Sequence, residues 1–325
     1  MSGTLRVSEA VAGALRCPRC RAQLHPADGG FVCSASACGQ AYPVVDGRPV
    51  LINEANSAFA IDDFTSGHST TYHRQQAVER FLSAVIPTLD KNFVASRNYG
   101  RLAALFATDA KSRLLVVGCG DMGKGMEAIT AHPGLELVNT DVYFGRSTHV
   151  VCDGHDLPFA DGFFDGAIVQ AVLEHVADPA RCVAEIHRVL KPQAVVYAET
   201  PFMQQVHGGP YDFTRFTPLG HRRLFRAFAE IDSGAVAGPG TALAWSWQYF
   251  LLSFVRSRFA RSAMKAVARL SGFWLKYFDH WLLARPGAHD AASACYFLGR
   301  KTDRVLADRE LVKLYRGAGA TLVGH

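Results

Sequence analysis

Four of the eight cysteines of this 325-residue chain fall near its start, as Cys17-Pro-Arg-Cys20 and, after twelve intervening residues, Cys33-Ser-Ala-Ser-Ala-Cys38. Two cysteine pairs on two tight turns can set four thiolates at the corners of a tetrahedron, the geometry that structural zinc prefers. Four protein ligands leave no open position, so Cys17, Cys20, Cys33 and Cys38 are expected to hold a structural Zn2+ rather than a catalytic one. A second constellation begins where the apolar run Leu114–Val117 meets Gly118-Cys-Gly120-Asp-Met-Gly123-Lys-Gly125. Glycines serve where the backbone turns sharply and approaches a ligand with no Cβ in the way. Asp141 ends the next apolar run, 21 residues after Gly120. An acid about 20 residues beyond such a turn is placed to hold the ribose hydroxyls of a bound nucleoside.

These residues need a frame. The short apolar runs Leu114–Val117, Leu135–Thr140, Val150–Cys152, Ala167–Val169 and Ala194–Ala198 are interleaved with helical stretches, notably Pro179–Leu190 closed by Lys191-Pro192. That alternation predicts an α/β fold with a parallel sheet and helices on both faces. From Tyr72 to Thr108 the pattern is helical, with Ala77, Phe81, Leu82 and Val85 on one face. Residues 54–71 lack periodicity and read as a linker. The expected organisation is a cysteine module at 1–53, linker and N-terminal helices at 54–110, and an α/β domain at 111–303. That domain carries a helical insertion at 241–285, and a C-terminal helix and tail follow at 304–325.

Composition narrows the class. Hydrophobic residues make up 49% and charged residues 19%, with 34 Lys+Arg against 29 Asp+Glu. This excludes a disordered, collagen-like or coiled-coil chain, and a net +5 is too mild to announce a nucleic-acid binder. Glu9 interrupts the apolar N-terminal stretch, so no secretory leader is read there and a reducing cytosol is the expected compartment. Residues 233–255 are uncharged, but Gly234, Gly238, Pro239 and Gly240 leave only about 15 residues of uninterrupted helix, short of the roughly 20 a span needs.

A third block extends the argument: Asp153-Gly-His-Asp-Leu-Pro-Phe159-Ala-Asp-Gly-Phe-Phe-Asp165, then Gln170-Ala-Val-Leu-Glu-His175-Val, then Glu185-Ile-His-Arg-Val-Leu-Lys-Pro192. From about Leu114 to Pro201 the chain resembles class I S-adenosylmethionine-dependent methyltransferases of the ubiquinone-biosynthesis type. Gly123 also satisfies the nicotinamide fingerprint, and the Leu-Pro-Phe block selects methyl transfer over a dehydrogenase. The resemblance implies a Rossmann-like seven-stranded sheet closed by two antiparallel strands, for which Phe228–Val236 and Ala294–Gly299 are the candidates. It implies S-adenosyl-L-methionine as cofactor, with Gly118 and Gly120 under its methionine and ribose and Asp141 on the ribose. Asp153, with Gly154 beside it, would meet the adenine amino group, and Gln170 would lie near the cofactor. Val116 stands where the family often has an acid, and Met122 where its third glycine usually stands. The segment Tyr42-Pro-Val-Val-Asp-Gly-Arg-Pro-Val-Leu51, with the cysteines, resembles the zinc-ribbon activator of tRNA and protein methyltransferases, implying a folding or docking module.

The acceptor end follows the fifth strand, in Glu199–Thr217. This segment resembles the corresponding loop of methyltransferases found with surface-polysaccharide biosynthesis, which implies O-methylation of a sugar or other small or lipid-linked metabolite. In-line placement is then the enzyme's main task. His207 is the first candidate base and His175 the second, with Asp212 as orienting partner or alternative base. The rival functions are RNA methylation and a catalytically silent binding protein. An Asn-Pro-Pro-Tyr-like tetrad is missing after the fourth strand, where Gln170-Ala-Val-Leu stands. In the insertion, Phe259, Ala263, Val267, Leu270, Trp274, Phe278 and Trp281 recur at helical spacing, with Arg258, Arg261, Lys265, Arg269 and Lys276 on another face. The aromatic stripe is expected to pack on the sheet as a lid. The alternative is an interfacial helix making peripheral membrane contact through 256–285, where seven basic residues face one acid, Asp279; nucleic acid ranks below both.

Overall fold

The computed structural model describes residues 4–66, 87–89, 91–120 and 125–321. Four short strands form the N-terminal module: β1 (Leu24–Ala27), β2 (Gly30–Cys33), β3 (Ala41–Val45) and β4 (Arg48–Leu51). Five parallel strands follow, β5 (Ser112–Val117), β6 (Leu135–Asp141), β7 (Val150–Cys152), β8 (Phe164–Gln170) and β9 (Leu190–Pro201). Two antiparallel strands close the series, β10 (Phe228–Ala237) and β11 (Ala294–Lys301). The order across the sheet is β1-β2-β3-β4-β7-β6-β5-β8-β9-β11-β10. From β7 to β10 this is the seven-stranded class I methyltransferase sheet. The buried runs Leu114–Val117 and Ala194–Ala198 sit at its centre, covered on both faces, which is why they read as continuous apolar text rather than alternation.

The helix Pro179–Val189 is specified locally. Asp178 caps it by accepting from the Arg181 N–H, Pro179 opens it, and Cys182, Val183, Ile186 and Val189 turn inward.

The cysteine module is not a bead on a string. Strand β4 pairs in parallel with β7, matching Val50 with Val151 and Leu51 with Cys152, so the module extends the sheet at its β7 edge. Val11, Leu15, Leu24, Phe31, Tyr42 and Leu51 share one core with Leu115, Val117 and Phe159. Buried Arg48 reaches across to the carbonyls of Thr148 (3.0 Å) and Gly145 (3.2 Å), and Arg21 donates to Glu185 at 2.8 Å. The described part of the 54–71 stretch is packed as well. Phe64 is buried with Val50, Ile52 and Val151, because β4 and β7 present an apolar face that this segment covers. Within the expected helix Tyr72–Thr108, Ala95–Ala103 is helical and buries Tyr99 and Leu102; Ala77, Phe81, Leu82 and Val85 lie outside the described residues.

The insertion departs from expectation in its orientation. It is split into Pro239–Leu252, Arg258–Gly272, a 3-10 segment Phe273–Phe278 and Asp279–Leu282. Asp279, fully buried, accepts from the N–H groups of Gly238, Gly240 and Thr241 and from the Thr241 hydroxyl, at 2.7–3.0 Å, and so caps the first of these helices. The face of Arg258–Gly272 that packs inward carries Ala268 and Gly272, the latter against Trp247. Small residues permit that close approach. The stripe expected to pack on the sheet points outward instead: Phe259 is 92% exposed and Trp281 69%, with Val267, Leu270, Trp274 and Phe278 also exposed. No described helix is long and apolar enough to cross a membrane.

Candidate active site

The predicted cofactor residues converge at the carboxyl ends of the parallel strands. Gly118 and Gly120 follow β5 with φ of +67° and +45°, a region that L side chains avoid. A Cβ on Gly118 would stand 2.3 Å from Val172 Cγ2, whereas no described residue would lie within 4 Å of one on Gly120. The Gly120 N–H donates to Asp141 Oδ2 at 2.7 Å, tying the ends of β5 and β6. Burial raises the Asp141 pKa above the ordinary carboxylate value, against the backbone donors of Gly120 and Val142. Met122 and Gly123 lie outside the described residues.

Asp153 ends β7, but its carboxylate is already engaged. Oδ1 accepts from the His155 N–H (3.0 Å) and lies 2.6 Å from His155 Nδ1, and Oδ2 accepts from the Ser57 hydroxyl at 2.6 Å. Burial works against these bonds, yet together they lower the Asp153 pKa, while its carboxylate raises that of His155. Ser57, from the stretch read as a linker, is therefore a neighbour of Asp153 that periodicity had no means to flag. Gly154 is buried against Cys182 in the short turn that follows.

Gln170 belongs to a polar network the sequence reading missed. Its Oε1 accepts from the Tyr99 hydroxyl (2.7 Å) and its Nε2 donates to Glu199 Oε2 (2.8 Å). Glu199 also accepts from Asn92 at 3.1–3.2 Å and from the Tyr197 hydroxyl. Burial raises the Glu199 pKa despite these donors. Register pairing of Gln170 with Glu199 on β8 and β9 places the two together. Tyr99 and Asn92 come from upstream, a juxtaposition that only the tertiary fold creates.

The three candidate catalytic residues gather in one cluster beside a fourth, Glu174. His175 Nε2 and His207 Nε2 each lie 3.7 Å from Glu174 Oε1, and the two rings meet edge-on at 4.9 Å. Asp212 is not free to act as a base. It pairs with Arg215 through both oxygens and accepts from the N–H groups of His207 (2.8 Å) and Gly208 (3.0 Å). Burial would raise its pKa, but the Arg215 guanidinium and these N–H groups hold it well below the carboxylate range. Asp212 thus stays ionised and fixes the His207 loop. Glu174, against burial, raises the His207 pKa. Tyr211 in the same loop stacks on Phe59 at 5.4 Å, and Val172 leans on Gly118, so this cluster adjoins the glycine turn after β5.

In the N-terminal module all four cysteine sulfurs lie within 4.8 Å of one another. Cys17 and Cys38 are 3.8 Å apart and Cys20 and Cys33 3.3 Å, far beyond a disulfide bond. A tetrahedral zinc with Zn–S bonds of about 2.3 Å sets sulfurs about 3.8 Å apart. The donor set fits zinc, and Cys17, Cys20, Cys33 and Cys38 would hold it.

Strand order, glycine turn and Asp141 define the class I methyltransferase fold. Residues 115–198 match the methyltransferase domain family, and residues 14–47 match the Trm112p-like protein family. The chain therefore carries a methyltransferase domain preceded by a Trm112p-like ribbon. It is 29% identical over 122 residues to O-methyltransferase rstn1 of Aspergillus nomiae, covering 33% of this chain and 54% of that protein. It is 39% identical over 83 residues to a demethylmenaquinone methyltransferase of Corynebacterium kroppenstedtii, covering 26% and 31%. Among solved structures it is similar to phosphoethanolamine N-methyltransferase 2 of Haemonchus contortus in complex with S-adenosyl-L-methionine, at 15% identity and a TM-score of 0.42, covering 70% of this chain and 58% of that one. The chain spans about half or less of the length of the curated relatives it matches.

Proposed function

We propose that this protein is an S-adenosylmethionine-dependent methyltransferase that methylates a hydroxyl of a sugar or other small or lipid-linked metabolite. The observation that carries this reading is the bond from the Gly120 N–H to the Asp141 carboxylate, at the carboxyl ends of β5 and β6 within the matched segment 115–198. It is where a nucleoside's ribose binds in such sheets. When bound, the cofactor supplies an electrophilic methyl group on a sulfonium. Gly118 and Gly120 let the backbone pass close beneath it, and Asp141 takes the ribose hydroxyls. The 54–66 segment, through Ser57 and Phe59, covers the site and limits water.

The acceptor pocket is the one walled by Glu174, His175, His207 and Tyr211. Its imidazoles assist removal of the hydroxyl proton, while ionised Asp212 and Arg215 keep the His207 loop in place. The preference for a lipid-linked acceptor draws on the insertion, whose exposed Phe259, Leu270, Trp274 and Trp281 lie among Arg258, Arg261, Lys265 and Arg269. Exposed aromatics beside basic residues suit an interface of anionic lipid. The ribbon, with zinc bound, braces the β7 edge.

The test has two arms. S-adenosylhomocysteine at 100-fold over its Kd should stabilise the protein by about 2.7 kcal/mol, and radiolabelled methyl groups should pass from the cofactor into a glycan or lipid fraction. Absence of the thermal shift would remove the methyltransferase reading altogether; label entering only RNA would replace the proposed acceptor class.

A further inference from the structure

The Glu174 carboxylate is an anomaly by ordinary hydrogen-bond accounting. Its side chain is 1% exposed, yet neither oxygen has a hydrogen-bond partner among the described residues. A buried carboxylate with no donor is strongly disfavoured unless a positive charge faces it. The Arg215 guanidinium of the His207 loop is spent on Asp212. What does face Glu174 is a pair of imidazole nitrogens, each 3.7 Å away, too far for a hydrogen bond.

Both imidazoles are turned the same way. His175 Nδ1 lies 2.8 Å from the Tyr211 carbonyl oxygen and His207 Nδ1 3.2 Å from that of Gln205. A carbonyl only accepts, so His175 Nδ1 carries the proton and its Nε2 directs a lone pair at the Glu174 side, while His207 Nδ1 sits between the Gln205 carbonyl and Arg215 Nη2, 3.3 Å away, with its Nε2 turned to Glu174 as well. Rings whose outer nitrogen donates to a backbone carbonyl are the usual support of metal-bound histidine. The ligand atoms of Glu174, His175 and His207 all lie within 4.8 Å of one another. Metal–ligand bonds of about 2.1 Å at tetrahedral angles place donors about 3.4 Å apart, close to the 3.7 Å found. Gly208 is needed for this arrangement, because a Cβ there would meet His175 Cε1 at 2.4 Å.

We infer that Glu174, His175 and His207 bind a divalent transition-metal ion at the acceptor end of the pocket. Two imidazoles and one carboxylate suit zinc, iron(II), cobalt(II) or manganese(II), and three protein ligands leave positions open. His175 and His207 are partly exposed, so those positions face the pocket. The ion's role in turnover, though not its binding, rests on the methyl-transfer reading. There it takes the acceptor oxygen as a ligand and lowers the hydroxyl pKa, in place of an imidazole base. The hydroxyl proton passes to solvent, the oxygen lone pair forms the new O–CH3 bond, and the C–S electron pair returns to sulfur as the neutral thioether leaves.

Cobalt(II) titration of the full chain, its ribbon already filled with zinc, tests the site. One equivalent should bind with visible d–d bands and without the near-ultraviolet thiolate charge-transfer band that exchange into the ribbon would give. E174Q and, separately, H207A should each weaken that binding by more than about 100-fold, beyond the 10–100-fold effect of outer-shell partners, while retaining the zinc of the ribbon and the thermal shift with S-adenosylhomocysteine. No cobalt bound beyond exchange into the ribbon overturns the site, as does binding that survives in both variants. Cobalt bound as expected in a protein that S-adenosylhomocysteine does not stabilise upholds the site and removes the methyl-transfer reading instead.

Discussion

Alanine placed at the two glycines of the β5 turn should separate structural strain from ligand exclusion. At Gly118 an added methyl meets two obstacles. The backbone is left-handed at +67°, which costs an L residue about 1–2 kcal/mol. Its Cβ would also stand 2.3 Å from Val172 Cγ2, and forcing extra volume into a packed site costs about 1–3 kcal/mol more. Gly118→Ala should therefore lose roughly 2–5 kcal/mol in denaturant unfolding. At Gly120 the backbone term is similar, but no described residue lies within 4 Å of the added carbon. Gly120→Ala should cost only about 1–2 kcal/mol, yet its methyl points into the space assigned to the cofactor and should abolish the thermal shift with S-adenosylhomocysteine. Adding Val172→Ala to Gly118→Ala relieves the clash and should recover part of the loss. Equal destabilisation by the two single variants, or a full ligand shift in Gly120→Ala, would refute this account.

Three further outcomes are expected. Because Cys17 and Cys33 share a core with Leu115 and Phe159, Cys17→Ser should lower the melting temperature of the whole protein in one transition; an unchanged main transition would show the ribbon to be separable. Burial lowers the His221 pKa to about 3. The unfolded chain takes up that proton below about pH 6.5 and the folded one only near 3, so stability should fall by about 1.4 kcal/mol per pH unit on acidification between them. His221→Leu should flatten that slope by one proton, as read from urea midpoints across pH. Finally, Phe259→Glu and Trp281→Glu should each weaken binding to anionic vesicles by about tenfold or more, since each apolar side chain inserted contributes about 1.5–3 kcal/mol, with melting temperature unchanged.

Much of the frame was legible because its signals are local. The cysteine pairs and the glycine turn with Asp141 each lie within about 20 residues of chain, and each apolar run of β5 to β9 is continuous text. Strand ends drifted outward, as with Ala167–Val169 against Phe164–Gln170, since polar residues such as Asp165 can complete a ladder that apolarity alone does not mark. What the text could not give were approaches between distant segments. Nothing local marks Glu174 as a partner of His207, 33 residues on, or Gln170 as a partner of Tyr99 and Glu199. The insertion failed for another reason. Periodicity finds an apolar stripe but not what it faces, and here alanine and glycine, weak in any hydrophobic tally, form the buried side.

The parallel pairing of β4 with β7 also has a consequence in time. Arg48 and its acceptor Thr148 are 100 residues apart in the chain, so during synthesis the ribbon emerges long before the strand it docks on. Until β7 arrives, Val50 and Leu51 present an unpaired apolar edge of the kind that invites association with other chains. A metal that closes the cysteine knuckles early would hold the ribbon in shape through that wait. The same contact sets a long loop to close, so docking of the ribbon is expected among the late events of folding, after the local β5–β6 unit has formed.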